Sequence, residues 1–108
     1  MYGARFIDRE QVLRELEALA ARARRERPDI RRIVLFGSLA KNTYTASSDA
    51  DLLVILERSD QRFLDRVPEF QRPFVEASVP VEVFPCTEAE ARSVSLARTA
   101  LREGQPLA

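Results

Sequence analysis

A chain of 108 residues with 17 basic and 17 acidic side chains has no net field to draw it toward nucleic acid or a membrane surface. A single cysteine, Cys86, excludes an intramolecular disulfide framework, and the lack of histidine removes the ordinary zinc ligand sets. The length suits one domain over 1–108 with a core of its own, and no apolar run approaches the ~18 residues of a membrane helix.

In chain order, Asp8 with Gln11 three residues on has the form of a capping box, and Val12, Leu13, Leu16, Leu19, Ala20 and Ala23 follow at helical spacing. The helix they predict ends near Pro28, because the residue before a proline avoids the α region. Residues 31–36 read as a buried strand, followed by the Gly37-Ser38 turn, a short helix and a polar loop through Ser48. Residues 51–56 are the second strand. Phe63, Val67, Phe70 and Phe74 recur at helical spacing, so 60–77 reads as helical, with a break near Val67 and a restart at Pro68. That phenylalanine stripe is assigned to the core and not to base stacking. Residues 79–84 predict a third strand bounded by Pro80 and Pro85. Thr87 and Glu90 make a second capping box ahead of Ala91, Val94, Ala97 and Leu101 on one face, with Gly104 as the stop. This order makes an α/β domain with a small mixed β-sheet flanked by helices.

The chemistry concentrates between the first two strands. Asp49 and Asp51 enter the second strand at positions i and i+2, which point to the same face of an extended chain. Paired carboxylates repel unless a cation lies between them, and oxygen ligands without Cys or His suit Mg²⁺ or Mn²⁺. Ser38, eleven residues before Asp49, follows Gly37. The glycine lets backbone approach a ligand closely, and the serine opens a short helix whose first N–H groups favour an anion. A polyphosphate at Gly37-Ser38 beside a metal at Asp49 and Asp51 is the outline of a nucleoside triphosphate site.

Gly-Ser, a spacer and Asp-x-Asp, set between strand-like runs, resembles the DNA polymerase β-like nucleotidyltransferase superfamily. The likeness is greatest to its smallest branch, the minimal nucleotidyltransferases (MNT) of prokaryotic two-gene modules, and it extends over nearly the whole chain. It implies the nucleotidyltransferase fold. Ser48 completes the family's Ser-Asp-x-Asp, where it caps or braces the loop. Two departures stand out. Lys41-Asn42 replaces the frequent Arg-Gly; Lys41 keeps a cation for phosphate as a point charge, and Asn42 tolerates the left-handed conformation better than most residues. The family's third acid comes from a later strand, most often as Asp, whereas Val81-Glu82-Val83-Phe84 offers only Glu82. Strand alternation turns Glu82 away from Val81 and Val83, toward a site on the sheet. Its added methylene shifts a ligand on a scale where positioning matters.

The resemblance implies a Mg²⁺-dependent transferase with two ions, Mn²⁺ being an alternative, held by Asp49, Asp51 and Glu82. Gly37, Ser38, Lys41 and Ser48 would hold the nucleoside triphosphate, expected to be ATP. AMP would pass to a hydroxyl acceptor while pyrophosphate leaves. A core this short leaves little surface for an acceptor, so the acceptor is expected on a second protein or another subunit, a homo-oligomer included. The MNT branch implies a HEPN-type helical toxin as partner, with this chain as its antitoxin. The competing reading is a catalytically weak or inactive module that neutralises its partner by contact. Direct nucleic-acid binding is disfavoured, since no basic, aromatic-interleaved stripe is present. With charge from Arg5 onward and no apolar signal core, a cytoplasmic location is expected.

Overall fold

The computed structural model of the chain describes residues 8–41, 43–45 and 48–108. Helix α1 (Arg9–Glu26) starts where Asp8 accepts the N–H of Gln11 at 3.2 Å, and it buries Val12, Leu13, Leu16, Ala20 and Ala23 along one stripe. Strand β1 (Ile30–Phe36) runs into the turn at Gly37 and the single-turn helix α2 (Ser38–Lys41). Strand β2 (Ala50–Leu56) pairs antiparallel with β1, from Ile30 opposite Leu56 to Phe36 opposite Asp51. Strand β3 (Val81–Thr87) lies parallel to β2, from Ala50 beside Val81 to Leu56 beside Thr87. A two-residue strand β4 (Gln105–Pro106) closes the other side, giving the order β3-β2-β1-β4.

β2 is the centre of the sheet and of the core. Leu52, Leu53, Val54, Ile55 and Leu56 are all buried, and burying each such side chain contributes about 1.5–3 kcal/mol. Alternation divides them. Leu52, Val54 and Leu56 face the larger cluster with α1, Phe70 and Phe74, while Leu53 and Ile55 face a smaller one with Val34, Cys86, Ala91, Ala97 and Ala100. Asp51 shares the parity of the second set. The active-looking acids therefore sit on the thinly covered face, under the C-terminal helices.

Four elements differ from the sequence reading. Helix α3 (Phe63–Gln71) passes through Pro68 unbroken, and the chain tightens to a 3₁₀ turn (Arg72–Phe74) only at Pro73. Pro68 is tolerated because its position is exposed, so the Leu64 carbonyl it leaves unbonded can take water. The expected phenylalanine stripe is also only partly core: Phe70 and Phe74 are buried, but Phe63 is 36% exposed and Arg66 takes a buried place. Strand β3 continues through Pro85 to Thr87 instead of stopping before it. Pro85 lies on the sheet's edge, and its carbonyl accepts from Arg66 Nη1 at 3.0 Å on the side away from β2. Its missing N–H faces that same side, where no strand would receive it.

The last helix is two helices. The capping box forms as read, with Glu90 N donating to Thr87 Oγ1 at 3.1 Å and Thr87 N to Glu90 Oε1 at 3.0 Å. It opens only α4 (Glu88–Ala91): the Glu90 carbonyl accepts the N–H groups of Ser93 and Val94 at 3.0 and 2.9 Å as well as the Ser93 hydroxyl at 3.4 Å, and α5 (Ser95–Glu103) starts afresh after Val94, whose backbone is extended. Val94 is consequently exposed while Ala100 joins Ala97 in the core. Gly104 does end α5, but its φ of −82° is open to any residue. What it provides is close approach, since an added Cβ would lie 2.6 Å from the Leu35 carbonyl. That approach delivers β4, which residue propensity did not announce.

Arg66 locks this half of the molecule. Its guanidinium is 3% exposed and grips Glu90 through Nη1 and Nη2, at 2.7 and 3.0 Å, while Nε and Nη2 donate to the Gln61 carbonyl. This bidentate hydrogen bonding, chiefly, holds the Glu90 carboxyl down to about 2 from its ordinary 4.5. A lowered folded-state value means stability present above about pH 4.5 and lost as pH falls toward 2. Glu90 is 41% exposed, so water screens much of the charge effect. Arg66→Met also strands the Gln61 and Pro85 carbonyls, at about 1 kcal/mol each, which should lower Tm by roughly 10 °C at pH 7. Denaturant melts at pH 7 and pH 3 should show the gap between wild type and variant narrowing at acid pH. A gap of equal size at both would dissociate Glu90 from the effect.

Candidate active site

The end of β1, the start of β2 and the start of β3 meet on one edge of the thinly covered face. Register alone brings three positions into a row there: Phe36 on β1 opposes Asp51 on β2, and Asp51 lies beside Glu82 on β3. Behind that row stand Val34, Leu53 and Phe84, with the Phe36 and Phe84 rings tilted against each other at 5.4 Å. Asp49, two residues before Asp51 and exposed, precedes the strand on the same parity. Glu82 is exposed and Val83 buried, as alternation required.

Asp51 feels this company. Its carboxyl is raised above the ordinary carboxylate range, first by burial and then by the negative charges of Glu82 and Asp49. The Asp49 and Asp51 pair and Glu82, read from two separate parts of the sequence, are thus within electrostatic reach of one another. Among the described residues, however, no three such side chains converge into a ready metal cage. The donor set is all oxygen and its like charges repel, which fits a hard divalent ion better than any soft metal.

Gly37 lies directly against this cluster. Its φ of +79° belongs to the left-handed region, and an added Cβ would fall 2.5 Å from Asp51 Oδ2. A side chain there would be strained and would also have to displace the carboxylate. Ser38 is the first residue of α2, whose leading N–H groups have no acceptor within the helix. Lys41 Nζ is 3.6 Å from Glu103 Oε1, so the one lysine is engaged with α5 across a small cavity of about 110 Å³ lined by Phe36, Gly37, Ala40, Lys41, Thr99 and Glu103. Asn42, read as a substitute for glycine, lies outside the described residues. Ser48 braces the approach to β2: its hydroxyl accepts the Thr45 N–H at 2.8 Å. A wider groove of about 430 Å³ beside Arg22, Arg27 and Glu69 shares no residue with this cluster.

Sequence reasoning missed one residue that holds the turn. Arg9, on the first turn of α1, donates to the carbonyls of Leu39 at 2.7 Å and Ala40 at 3.3 Å and to Gln105 Oε1 at 3.4 Å. It thereby ties α2 to both α1 and β4. An arginine among many exposed ones gave no signal of this.

The comparisons with known proteins agree with the geometry. Residues 16–106 match the model of the nucleotidyltransferase domain family. A crystal structure of a candidate nucleotidyltransferase from Sulfolobus solfataricus superposes with a TM-score of 0.69 at 18% identity, covering 91% of this chain and 80% of its own. A toxin–antitoxin structure with AMP-PNP gives a TM-score of 0.59 at 21% identity, covering 85% of this chain and 72% of that one. At such identities both likenesses speak for the fold. No curated protein sequence matches the chain.

Proposed function

Since the chain belongs to the nucleotidyltransferase domain family, we propose that it transfers AMP from ATP to a hydroxyl on a partner protein, as the antitoxin of a two-protein module. The observation that carries this reading is the row at the strand ends: Gly37 in left-handed conformation against Asp51, with Glu82 beside it. In this reading Gly37 and Ser38 admit the β and γ phosphates against the backbone, and Lys41 leaves Glu103 to meet them. Asp49, Asp51 and Glu82 would hold Mg²⁺ or Mn²⁺. When bound, such ions would neutralise phosphate charge and make the acceptor hydroxyl easier to ionise. Glu82 orients the acceptor oxygen toward the α-phosphorus and helps take its proton. The new phosphoester forms as the bond to the β-phosphate oxygen breaks, and pyrophosphate departs.

The toxin–antitoxin relative with AMP-PNP supports both halves of the proposal, an adenine nucleotide and a protein partner. A HEPN-type helical partner is the specific form we infer, in the cytoplasm; among the described residues no helix is long and apolar enough to cross a membrane. Incubating the protein with Mg²⁺, α-labelled ATP and the product of the adjacent gene should label that product, with pyrophosphate released in equal amount. Neutralisation of the partner with no label would favour the contact-only module. That second reading draws on two departures from the family's usual residues: glutamate stands at position 82, and Lys41-Asn42 follows Ala40.

A further inference from the structure

Glu82 sits on an edge strand, where the outward backbone groups normally have only water for partners. Here they do not. The carboxamide of Gln71, the last residue of α3, reaches the free side of β3 and makes both bonds a neighbouring strand would make. Its Nε2 donates to the Val81 carbonyl, and its Oε1 accepts the Val83 N–H at 3.3 Å. These are the two residues that flank Glu82. Glu82 itself turns its backbone inward, in register with Asp51 on β2. Its main chain is therefore held on the inner side by the sheet and on the outer side by one side chain. The inner ladder begins one residue before the strand, where the Pro80 carbonyl accepts the Ala50 N–H at 2.8 Å, whereas on the outer side Gln71 bonds both flanking residues.

We propose that Gln71 is a positioning residue for the transfer reaction: it acts as a one-residue surrogate strand that fixes the backbone on both sides of Glu82 and so the placement of that carboxylate. The inference rests on Glu82 being the third acid. It also accounts for how glutamate can serve where the family most often has aspartate. A longer side chain brings an additional rotatable bond, and a backbone locked on both edges removes the freedom beneath it.

The test uses Gln71→Met, which keeps length without polar atoms, and Gln71→Glu, which keeps an acceptor for Val83 but loses the donor to Val81. Three measurements are made: amide exchange at Val83, Mn²⁺ titration of the protein with a non-hydrolysable ATP analogue, and transfer kinetics. In Gln71→Met the Val83 amide should exchange about tenfold faster. Mn²⁺ affinity and kcat should each fall about 10–100-fold, as removal of an orienting group does, while KM for ATP stays within about twofold. Gln71→Glu should fall between Gln71→Met and wild type in all three, and it carries the test if Gln71→Met does not fold. Faster exchange with unchanged Mn²⁺ affinity and kcat would overturn the proposal, leaving Gln71 as edge protection alone. Glu82→Gln in the same assays separates the two levels. If Glu82→Gln is impaired and the Gln71 variants are not, only this inference fails; if Glu82→Gln is also unimpaired, the assignment of the third acid fails and takes the inference with it.

Discussion

Asp51→Asn is expected to raise the melting temperature of the ligand-free protein and to abolish the further rise that Mg²⁺ plus ATP gives the wild type. The first half follows from the sheet. Asp51 is drawn into β2 beside Glu82 and just after Asp49, and burial together with those two charges pushes its carboxyl above the ordinary range. A folded-state value above the unfolded one means that the ionised form costs stability near neutral pH, a cost that lifts as pH falls through the folded value. The direction is opposite to that of Glu90. Asparagine keeps the shape and removes the charge, so a gain of a few degrees is expected, about 4 °C for a change under ~1 kcal/mol in a chain of this size. The second half follows from the proposed site. Saturating Mg²⁺ and ATP at about 100 times Kd should stabilise the wild type by roughly 2.7 kcal/mol, about 10 °C in Tm. Asp51→Asn, and more completely the pair Asp49→Asn and Asp51→Asn, should lose that response and the transfer reaction with it. Thermal melts with and without Mg²⁺ and ATP check both halves. A wild type indifferent to saturating ligand, or an Asp51→Asn protein less stable than wild type, would remove the site from the acids.

The placement of the candidate site's residues was legible in the sequence because its parts obey local rules. Asp49 and Asp51 declare their common face by a spacing of two, and Glu82 declares its own by standing between Val81 and Val83. Strand register, which sequence spacing does not supply, then put Asp51 beside Glu82 and opposite Phe36. The Asp8 cap and the Thr87 capping box were equally local and began helices where expected. The failures share one cause, which is that tertiary partners overrode local signals. Pro85 stays within a strand because its edge faces Arg66 and not another strand. Pro68 stays within a helix because its face is open to water. Gln105 and Pro106 become a strand only because Gly104 packs against β1. Arg9, Arg66 and Gln71 perform their work through backbone carbonyls and amides far away in the chain, and a polar side chain in a charged sequence carries no mark of which backbone group it will find.

Glu82→Gln is expected to lower transfer of AMP to the partner by orders of magnitude while leaving nucleotide binding largely intact. The position separates the two functions. ATP would be held mainly at Gly37, Ser38, Asp49 and Asp51, on the β1–β2 side of the row, whereas Glu82 reaches in from β3. Glutamine preserves the volume and the strand, so β3 and its bonds to Gln71 should persist. What would disappear is the negative charge that, in the proposed reaction, orients the acceptor hydroxyl and takes its proton. A loss confined to the transition state lowers kcat and kcat/KM together and leaves KM nearly unchanged. Glu82→Asp, which restores the commoner acid on a shorter stem, should retain measurable activity, because the charge remains and only its reach has changed. Labelled ATP, Mg²⁺ and the adjacent gene product, incubated with wild type and both variants, decide the matter. If wild type transfers no label and Glu82→Gln still neutralises the partner fully, the protein acts by contact. If wild type and Glu82→Gln label equally, another group than Glu82 serves the acceptor. Strong labelling by wild type, weak labelling by Glu82→Asp and next to none by Glu82→Gln, at equal ATP affinity, assigns the transfer chemistry to the carboxylate at the start of β3.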